Sequence, residues 1–267
     1  MVPPSVPDVS DPIPPADAPT AAPNDDADRI PDAAPTPAPP QPSPVAPSGR
    51  FTGARRNLGS FARDGDKGAM RRGVGQYFKT GYGGGATAVR RFGGTAQTAA
   101  GLFSALSPGA STATGSPLDH SVLVGRSANQ VMDAIVEAVR PVDGTQDAEA
   151  GRAAIQDALS EMLERFPDAD LLNLDDGQRI FAVEHFVALD VFRRLQLDLG
   201  KVIQDKAPTA TAAMARLKEV REYVKETVAA SFRKLETVGT RLAASLVPKI
   251  VRAAMLEVIA VFQVYAE

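Results

Sequence analysis

Apolar residues in the C-terminal half of the chain recur at every third or fourth position, which is the spacing of one face of an α-helix. Two such rows lie in segments 127–140 and 148–166: Val131, Ile135 and Val139 in the first, and Ile155, Leu159, Met162, Leu163 and Phe166 in the second. Pro141 and Pro167 follow these segments, and a residue that precedes proline is biased away from helical geometry. The pattern therefore predicts two amphipathic helices that end before these prolines.

A third segment, 175–200, is apolar around most of a helical circumference. Its apolar residues are Ile180, Phe181, Val183, Phe186, Val187, Leu189, Val191 and Phe192. Asp175 and Gln178 have the spacing of a capping box, which predicts a helix start, and Gly200 is typical of a helix end. A helix that is apolar on all sides is covered on all sides, so we expect it to be the central element, with Phe181, Phe186 and Phe192 in the core.

Two further helices are predicted after Pro208. Segment 209–246 carries an apolar row of Met214, Leu217, either Val220 or Arg221, Val224, Val228 and Phe232. Ion pairs among Glu219, Arg221 and Lys225 are expected along the same helix, and Gly239 is expected to kink or end it. Pro248 suits the first turn of a last helix, whose inward face is Ile250, Val251, Met255, Val258, Ile259 and Phe262. The fold class is thus predicted to be all-α, with residues 118–267 forming a bundle of about five helices.

Residues 50–117 combine the apolar spacing of short helices with many glycines. Their apolar residues are Phe51, Leu58, Phe61, Met70, Val74, Tyr77, Phe78, Val89, Phe92, Leu102, Phe103 and Leu106, and the glycines include Gly53, Gly59, Gly73, Gly75 and Gly83–Gly85. Each glycine in a helix interior costs about 1 kcal/mol relative to alanine. We therefore expect short helices that order only against a partner or against the bundle.

Residues 1–49 hold sixteen of the 22 prolines of the chain, in runs such as PTPAPPQPSP. Proline fixes φ and lacks the N–H group, so these runs favour neither a helix nor a sheet. The apolar residues are mostly alanine, whose burial offsets little of an ordering cost of about 1–2 kcal/mol per residue. The composition predicts a disordered tail, and we interpret it as a solvated linker.

The distribution of charge also divides the chain into a tail, a basic segment and a C-terminal part. Residues 1–49 carry a net charge of -6, residues 50–94 carry ten basic and two acidic residues and hence +8, and the remainder carries -5, although the whole chain has only -3. A concentration of positive charge in one segment attracts acidic partners. The basic, glycine-rich arm, residues 50–117, is therefore the candidate docking element.

The candidate docking residues of the arm are its arginines and aromatic residues: Arg55, Arg56, Phe61, Arg63, Arg71, Arg72, Tyr77, Phe78, Arg90, Arg91 and Phe92. Paired arginines beside apolar residues suit a groove on an acidic protein. They also suit nucleic acid, because arginine and lysine neutralise phosphates and aromatic rings stack on bases. A third interpretation is a basic face that only contacts solvent.

No set of residues points to catalysis, to a metal or to a cofactor. The chain has no cysteine, and its two histidines, His120 and His185, belong to no metal-binding motif such as HExxH. His185 is expected to be a core or interface histidine with a local hydrogen bond, and Glu161 and Glu164 are expected on a solvated face. The run GVGQYFKTGYGGG lacks the Gly-Lys-Ser or Gly-Lys-Thr of a phosphate-binding loop. We therefore expect a protein that is not an enzyme.

The start of the sequence and its apolar runs bear on localisation. The opening MVPPSVPDVSD has neither the basic nor the apolar region of a secretory signal, and no window approaches the roughly 18 uninterrupted apolar residues of a membrane span. The lack of cysteine fits a reducing compartment. These features favour a cytoplasmic protein with no membrane partner.

Three blocks of the sequence are distinctive: GRFTGARRNLGSFAR at 49–63, GVGQYFKTGYGGGATAVRRFG at 73–93 and IFAVEHFVALDVFRRLQLDLGKVI at 180–203. Together they resemble the QatB family of bacterial Qat antiphage defence systems, over about residues 45–267. The resemblance implies a non-enzymatic component that works with an ATPase, a protein similar to the enzyme of 7-deazaguanine synthesis and a TatD-like nuclease. It favours an interaction subunit of a defence complex, and a nucleic-acid-binding module is the alternative.

Overall fold

The computed structural model describes residues 49–108, 118–237 and 245–266, with the backbone alone for 235–237. These residues belong to one compact unit, Ala46–Glu267. The predicted tail before Gly49 and the predicted kink at Gly239 lie outside the described residues, and so do residues 109–117 of the arm.

Every regular element in the described ranges is helical, which confirms the predicted all-α class. The helices are α1 (Thr52–Asp64), α2 (Lys67–Gln76), α3 (Gly85–Arg91), α4 (Gly93–Ala105), α5 (His120–Leu123), α6 (Ala128–Val139), α7 (Gln146–Arg165), α8 (Asp176–Lys206), α9 (Ala210–Thr237) and α10 (Val247–Val264). One π-helical turn, Tyr77–Gly81, continues α2. The described residues after 117 supply five helices longer than ten residues, α6 to α10, which is the predicted number.

Local sequence signals determine several helix ends. The Asp175 side chain accepts a hydrogen bond from the Gln178 N–H, and the Gln178 side chain accepts one from the Asp175 N–H. This reciprocal pair is the predicted capping box. Helices α6 and α7 end before Pro141 and Pro167, as the apolar pattern predicts.

The predicted end of α8 at Gly200 is wrong. The helix continues to Lys206, and Ala207 leaves helical geometry just before Pro208. The extra turns bury Ile203 completely. Burial of such a side chain is worth about 1.5–3 kcal/mol, whereas a glycine inside a helix costs about 1 kcal/mol. Tertiary burial therefore overrides the glycine, and the proline ends the helix.

Helix α8 lies at the centre of the fold, as its apolar circumference predicts. It packs against α7, α9, α1 and α4, while α10 packs against α9, α4, α3 and α2. Phe186 and Phe192 are buried, whereas Phe181 is half-buried and stacks on His185 with ring centroids 3.8 Å apart. The predicted core positions are confirmed for Phe186 and Phe192 and hold only in part for Phe181.

The basic arm and the bundle share one hydrophobic core. Buried residues of α1, α2 and α4 join those of α6 to α10 in a single cluster, and α1 lies against α8 and α9. The glycine-rich helices thus order against the bundle, which is one of the two predicted outcomes. Among the described residues, no gap in packing separates segment 50–117 from segment 118–267.

The inward face of α9 differs from the prediction at Met214. This side chain is 73% exposed, and Ala213 is buried instead. Val220 and Val224 are buried as expected, and Ala213 continues their row at helical spacing. Met214 lies about 100° further around the helix than Ala213, which turns it toward solvent.

Two glycines of α2 allow neighbouring helices to approach closely. A methyl group at Gly73 would overlap the Leu58 side chain of α1. A methyl group at Gly75 would overlap the Phe262 carbonyl oxygen of α10 and would lie 3.0 Å from the Ala266 nitrogen. The glycines that weaken these helices in isolation therefore permit the contacts that order them.

Candidate partner-binding surface

The exposed arginines of α1 lie on one side of the helix. Arg55, Arg56 and Arg63 face solvent, whereas Leu58 and Phe61 on the opposite side are buried. Residues three or four positions apart are neighbours on a helix surface, so positions 55, 56, 59 and 63 follow one line. We call Arg55, Arg56 and Arg63 the arginine row.

The arginine row has no partner within the described part of the chain: none of its side chains makes an ion pair or a side-chain hydrogen bond there. Several arginines of α7 to α9 behave differently, with pairs Arg152–Glu137, Arg193–Asp157, Arg194–Asp147, Arg194–Asp190, Arg216–Glu219 and Arg221–Glu161. The fold uses those arginines internally and leaves the row available for binding.

A lysine from another helix lies beside the middle of the row. A β-carbon at Gly59, between Arg55 and Arg63, would lie 3.6 Å from Val202 Cγ1, 3.7 Å from Lys206 Cγ and 4.0 Å from Arg63 Nη1. Lys206 is exposed at the end of α8. The sequence analysis missed Lys206 because only the packing of α1 on α8 brings it there, and no local signal marks it.

Each of the other predicted arginines has a contact within the fold: Arg71 over the rings of Tyr223 and Tyr265, Arg72 with Asp66, Arg90 with the Thr87 hydroxyl, and Arg91 over the Tyr82 ring. The Arg72–Asp66 distance is 3.3 Å, and the Arg91 guanidinium carbon lies 5.7 Å from the ring centroid. These side chains are therefore committed in part to local structure, unlike the arginine row.

The predicted aromatic docking residues do not lie on the surface. Phe61, Tyr77, Phe78 and Phe92 are at most 1% exposed, which corrects the expectation that they contact a partner. Rings of Tyr77 and Phe78 lie 5.0 Å apart, and Phe78 stacks on Phe262 at 5.4 Å. Large rings bury much apolar area in such clusters. The alternation of arginine and aromatic residues therefore marks two opposite sides of short helices, not one mixed surface.

Two tyrosines of the arm attach it to α8. Tyr77 and Tyr82 each donate a hydrogen bond to Asp198 Oδ2, at 2.9 Å and 3.1 Å. Burial raises the pKa of Tyr77 well above its ordinary value, and the neighbouring Tyr82 and Asp198 raise it further. Both hydroxyls thus stay protonated at neutral pH and act as fixed donors.

A second group of charged residues lies between α7, α8 and α9. Glu161 accepts hydrogen bonds from His185 Nδ1 at 2.5 Å, from Lys225 at 2.9 Å and from Arg221. Arg221 and Lys225 therefore pair across helices and not along α9, and Glu161 does not lie on a solvated face. Both predictions are corrected, because the packing of α7 on its neighbours brings these side chains together.

This group keeps Glu161 charged and His185 neutral. Burial by itself would raise the pKa of Glu161, but hydrogen bonds from Lys225 and His185 outweigh burial and lower it. Burial lowers the pKa of His185 by more than the hydrogen bond and charge of Glu161 raise it, and the nearby charge of Lys225 lowers it further. An adjoining cavity of about 230 Å³ has no Ser, Thr or Cys in its described lining. A nucleophile–histidine–carboxylate triad is therefore not assembled at this cavity.

In the described ranges, no group of three or more His, Asp or Glu side chains is arranged to hold a metal ion. No helix in residues 49–108, 118–237 or 245–266 is both long enough and apolar enough to cross a bilayer.

Comparison with known proteins gives a match to one family. The family model described as Qat anti-phage system associated protein QatB matches residues 83–262. No curated protein and no solved structure matches the chain. The matched part runs from the loop before α3 into α10 and includes Arg90 and Arg91, whereas the arginine row on α1 precedes it.

Proposed function

The chain belongs to the QatB family, which is associated with the Qat antiphage system, and we propose that it is a non-enzymatic interaction subunit of that system. Its partners are other Qat components, namely the ATPase, the deazaguanine-synthesis-like protein and the TatD-like nuclease that the resemblance implies. The subunit works in the bacterial cytoplasm and docks through the arginine row.

The unpaired arginine row carries this proposal. Arg55 and Arg63 are eight residues apart, about 12 Å along the helix, and Arg56 lies between them. Three exposed like charges at this separation repel one another, and no ion pair among the described residues offsets that repulsion. Carboxylates of a partner would relieve that repulsion, steer association and fix the orientation of docking.

Two observations favour an acidic protein over nucleic acid as the partner. The aromatic rings that would stack on bases are buried, which leaves charge alone for binding. Residues 50–267 carry a net charge of only +3, because the +8 of residues 50–94 is largely offset by the -5 of the remainder, whereas domains that bind nucleic acid are commonly strongly basic as a whole. Nucleic acid is therefore the alternative partner, and the binding experiment below tests it.

The non-enzymatic role is supported by the surroundings of His185. Its Nδ1 is oriented by Glu161, as in a catalytic dyad, but Lys225 and Arg221 share the same carboxylate. A carboxylate that is neutralised in this way raises the basicity of the imidazole only weakly. The group fits a polar contact between helices.

Replacement of the row tests the proposal. In the full chain, R55A/R56A/R63A should weaken binding to the Qat components at least about tenfold, because interfacial charge pairs contribute about 1.5 kcal/mol or more each. The measurement is co-purification after co-expression with each component, together with plaque counts after phage challenge. R126A/K249A/R252A is the matched control, because it removes three exposed cations that form no ion pair among the described residues.

Equal co-purification of the row variant and the control variant would contradict the proposal. Fluorescence anisotropy with generic single-stranded and double-stranded oligonucleotides tests the alternative that the row binds nucleic acid. Tight binding that weakens steeply with salt and is lost in the row variant would assign the row to nucleic acid.

A further inference from the structure

We propose that Lys206 of α8 completes the arginine row, and that the resulting four cations bind the carboxylates of an acidic helical segment of a partner protein. This inference rests on the proposed function and extends it in two respects. It adds a residue from a second helix to the surface, and it specifies the chemistry and spacing of the partner.

The row has a gap at Gly59. Positions 55, 59 and 63 are successive neighbours on the helix surface, with about 5–6 Å between adjacent β-carbons. Gly59 has no side chain, and it is buried against α8. Because Lys206 Cγ and Val202 Cγ1 lie within 3.7 Å of where its β-carbon would be, the stem of Lys206 lies against α1 at this gap. A lysine stem packed in this way leaves its charged head at the surface.

The charge of Lys206 is thereby added beside that of Arg63. Arg63 Nη1 lies 4.0 Å from the same point at Gly59, so the guanidinium and the lysine stem flank one site. Within the described part of the chain neither side chain forms an ion pair. Lys201, one and a half turns earlier on α8, does pair, with Asp205 at 3.0 Å. Two adjacent cations without an acid between them are suited to bind an external anion.

The spacing of the four cations indicates the form of that anion. Positions 55, 59 and 63 span about 12 Å along α1 in two steps of roughly 6 Å, with Lys206 beside the middle position and Arg56 next to Arg55. Glu or Asp side chains four residues apart on a helix have the same separation. We therefore assign the site to a short acidic helix.

The test uses the full-length chain and a fluorescein-labelled, alanine-based helical peptide with glutamates four residues apart on one face, with anisotropy measured at low salt. Lys206→Glu should weaken binding at least about tenfold, because it replaces an attraction by a repulsion. Lys206→Arg and the control Lys201→Glu should stay within about twofold of wild type, since the first keeps the charge and the second lies outside the row. A 20-mer DNA is titrated in parallel.

Three results would overturn the inference: Lys206→Glu binding the peptide within twofold of wild type, no saturable binding of the peptide by the wild-type chain, or tighter Lys206-dependent binding of the DNA. Co-purification of both variants with the Qat components shows whether the role of Lys206 alone fails or the proposed function fails too. If R55A/R56A/R63A loses the complex and Lys206→Glu keeps it, only the role of Lys206 fails. If both variants keep the complex, the proposed function fails as well.

Discussion

Asp190 is a charged residue inside the core of the protein. It is 1% exposed, accepts a hydrogen bond from the Thr95 hydroxyl at 2.5 Å and pairs with Arg194 Nε at 3.1 Å. Thr95 belongs to α4 of the arm, and both charged residues belong to α8. A buried carboxylate is tolerated only while its partners remain. This contact therefore makes the packing of the arm on the bundle specific.

Arg194→Met should destabilise the protein by about 3–5 kcal/mol, because it leaves Asp190 buried without a cation. Arg193→Met is the matched control on the adjacent position. The Arg193–Asp157 pair is partly exposed, and such pairs contribute about 0–1 kcal/mol. Urea unfolding followed by circular dichroism measures both variants, and equal losses would mean that Asp190 is hydrated in the native state.

His185 should make stability depend on pH. Burial holds the pKa of His185 below its ordinary value in the folded protein. As the pH falls below about 6.5, the unfolded chain therefore takes up a proton before the folded chain does, and stability falls by at most about 1.4 kcal/mol per pH unit. The lowered pKa of Glu161 acts in the same direction below about 4.5.

The variant His185→Gln cannot be protonated in this range. The free energy of unfolding, measured in urea between pH 5 and pH 8, should fall less steeply toward pH 5 in this variant than in wild type. Parallel curves for the two proteins would show that His185 has the same pKa in the folded and unfolded states.

At the scale of elements, the contact of α2 with α10 depends on glycine. Gly75→Ala should destabilise the protein by about 1–3 kcal/mol or more, because the added methyl group meets backbone atoms of Phe262 in α10 and of Ala266 just after it, which have no rotamer with which to move away. Gly94→Ala in α4 is the control. A methyl group there meets nothing within 4 Å, so it should stabilise by about 0.5–1 kcal/mol. Thermal unfolding measures the stability of both variants. A Gly75→Ala variant as stable as wild type would mean that the two helices can move apart without cost.

Elements whose limits depend on neighbouring residues in the sequence could be predicted. The apolar period and the prolines locate α6 and α7, and the Asp175–Gln178 capping box locates the start of α8. The end of α8 could not be predicted, because burial of Ile203 against other helices outweighs the signal of Gly200.

The candidate surface could be predicted only in part, for the same reason. The charge of the arm pointed to Arg55, Arg56 and Arg63 but equally to the arginines of α2 and α3, because basic residues accumulate throughout residues 50–94. Which aromatic residues are buried, and that Lys206 joins the row, depend on helices that pack from distant parts of the chain. Periodicity gives the faces of a helix but not what covers them.

At the scale of the whole molecule, we expect residues 1–48 to be dispensable for folding. The described core extends from Phe51 to Ala266, and the preceding sequence is rich in proline and aspartate. Deletion of residues 2–48 should leave the thermal midpoint within about 2 °C, on a scale where 1 kcal/mol shifts a domain of this size by about 2–4 °C. Differential scanning calorimetry measures the shift, and a larger fall would show that this segment adds to the packing.

The contact between α2 and α10 also has a consequence for synthesis on the ribosome. Gln76 Nε2 donates to the Ala266 carbonyl oxygen, 190 residues later in the chain, and Phe78 stacks on Phe262. At a translation rate of about 5–20 residues per second, roughly 10–40 s pass between the synthesis of α2 and the synthesis of the helix that covers it. During that interval its apolar side is open to other nascent chains and to chaperones. The yield of native protein in the cell therefore depends on what shields Phe78 while α10 is being made.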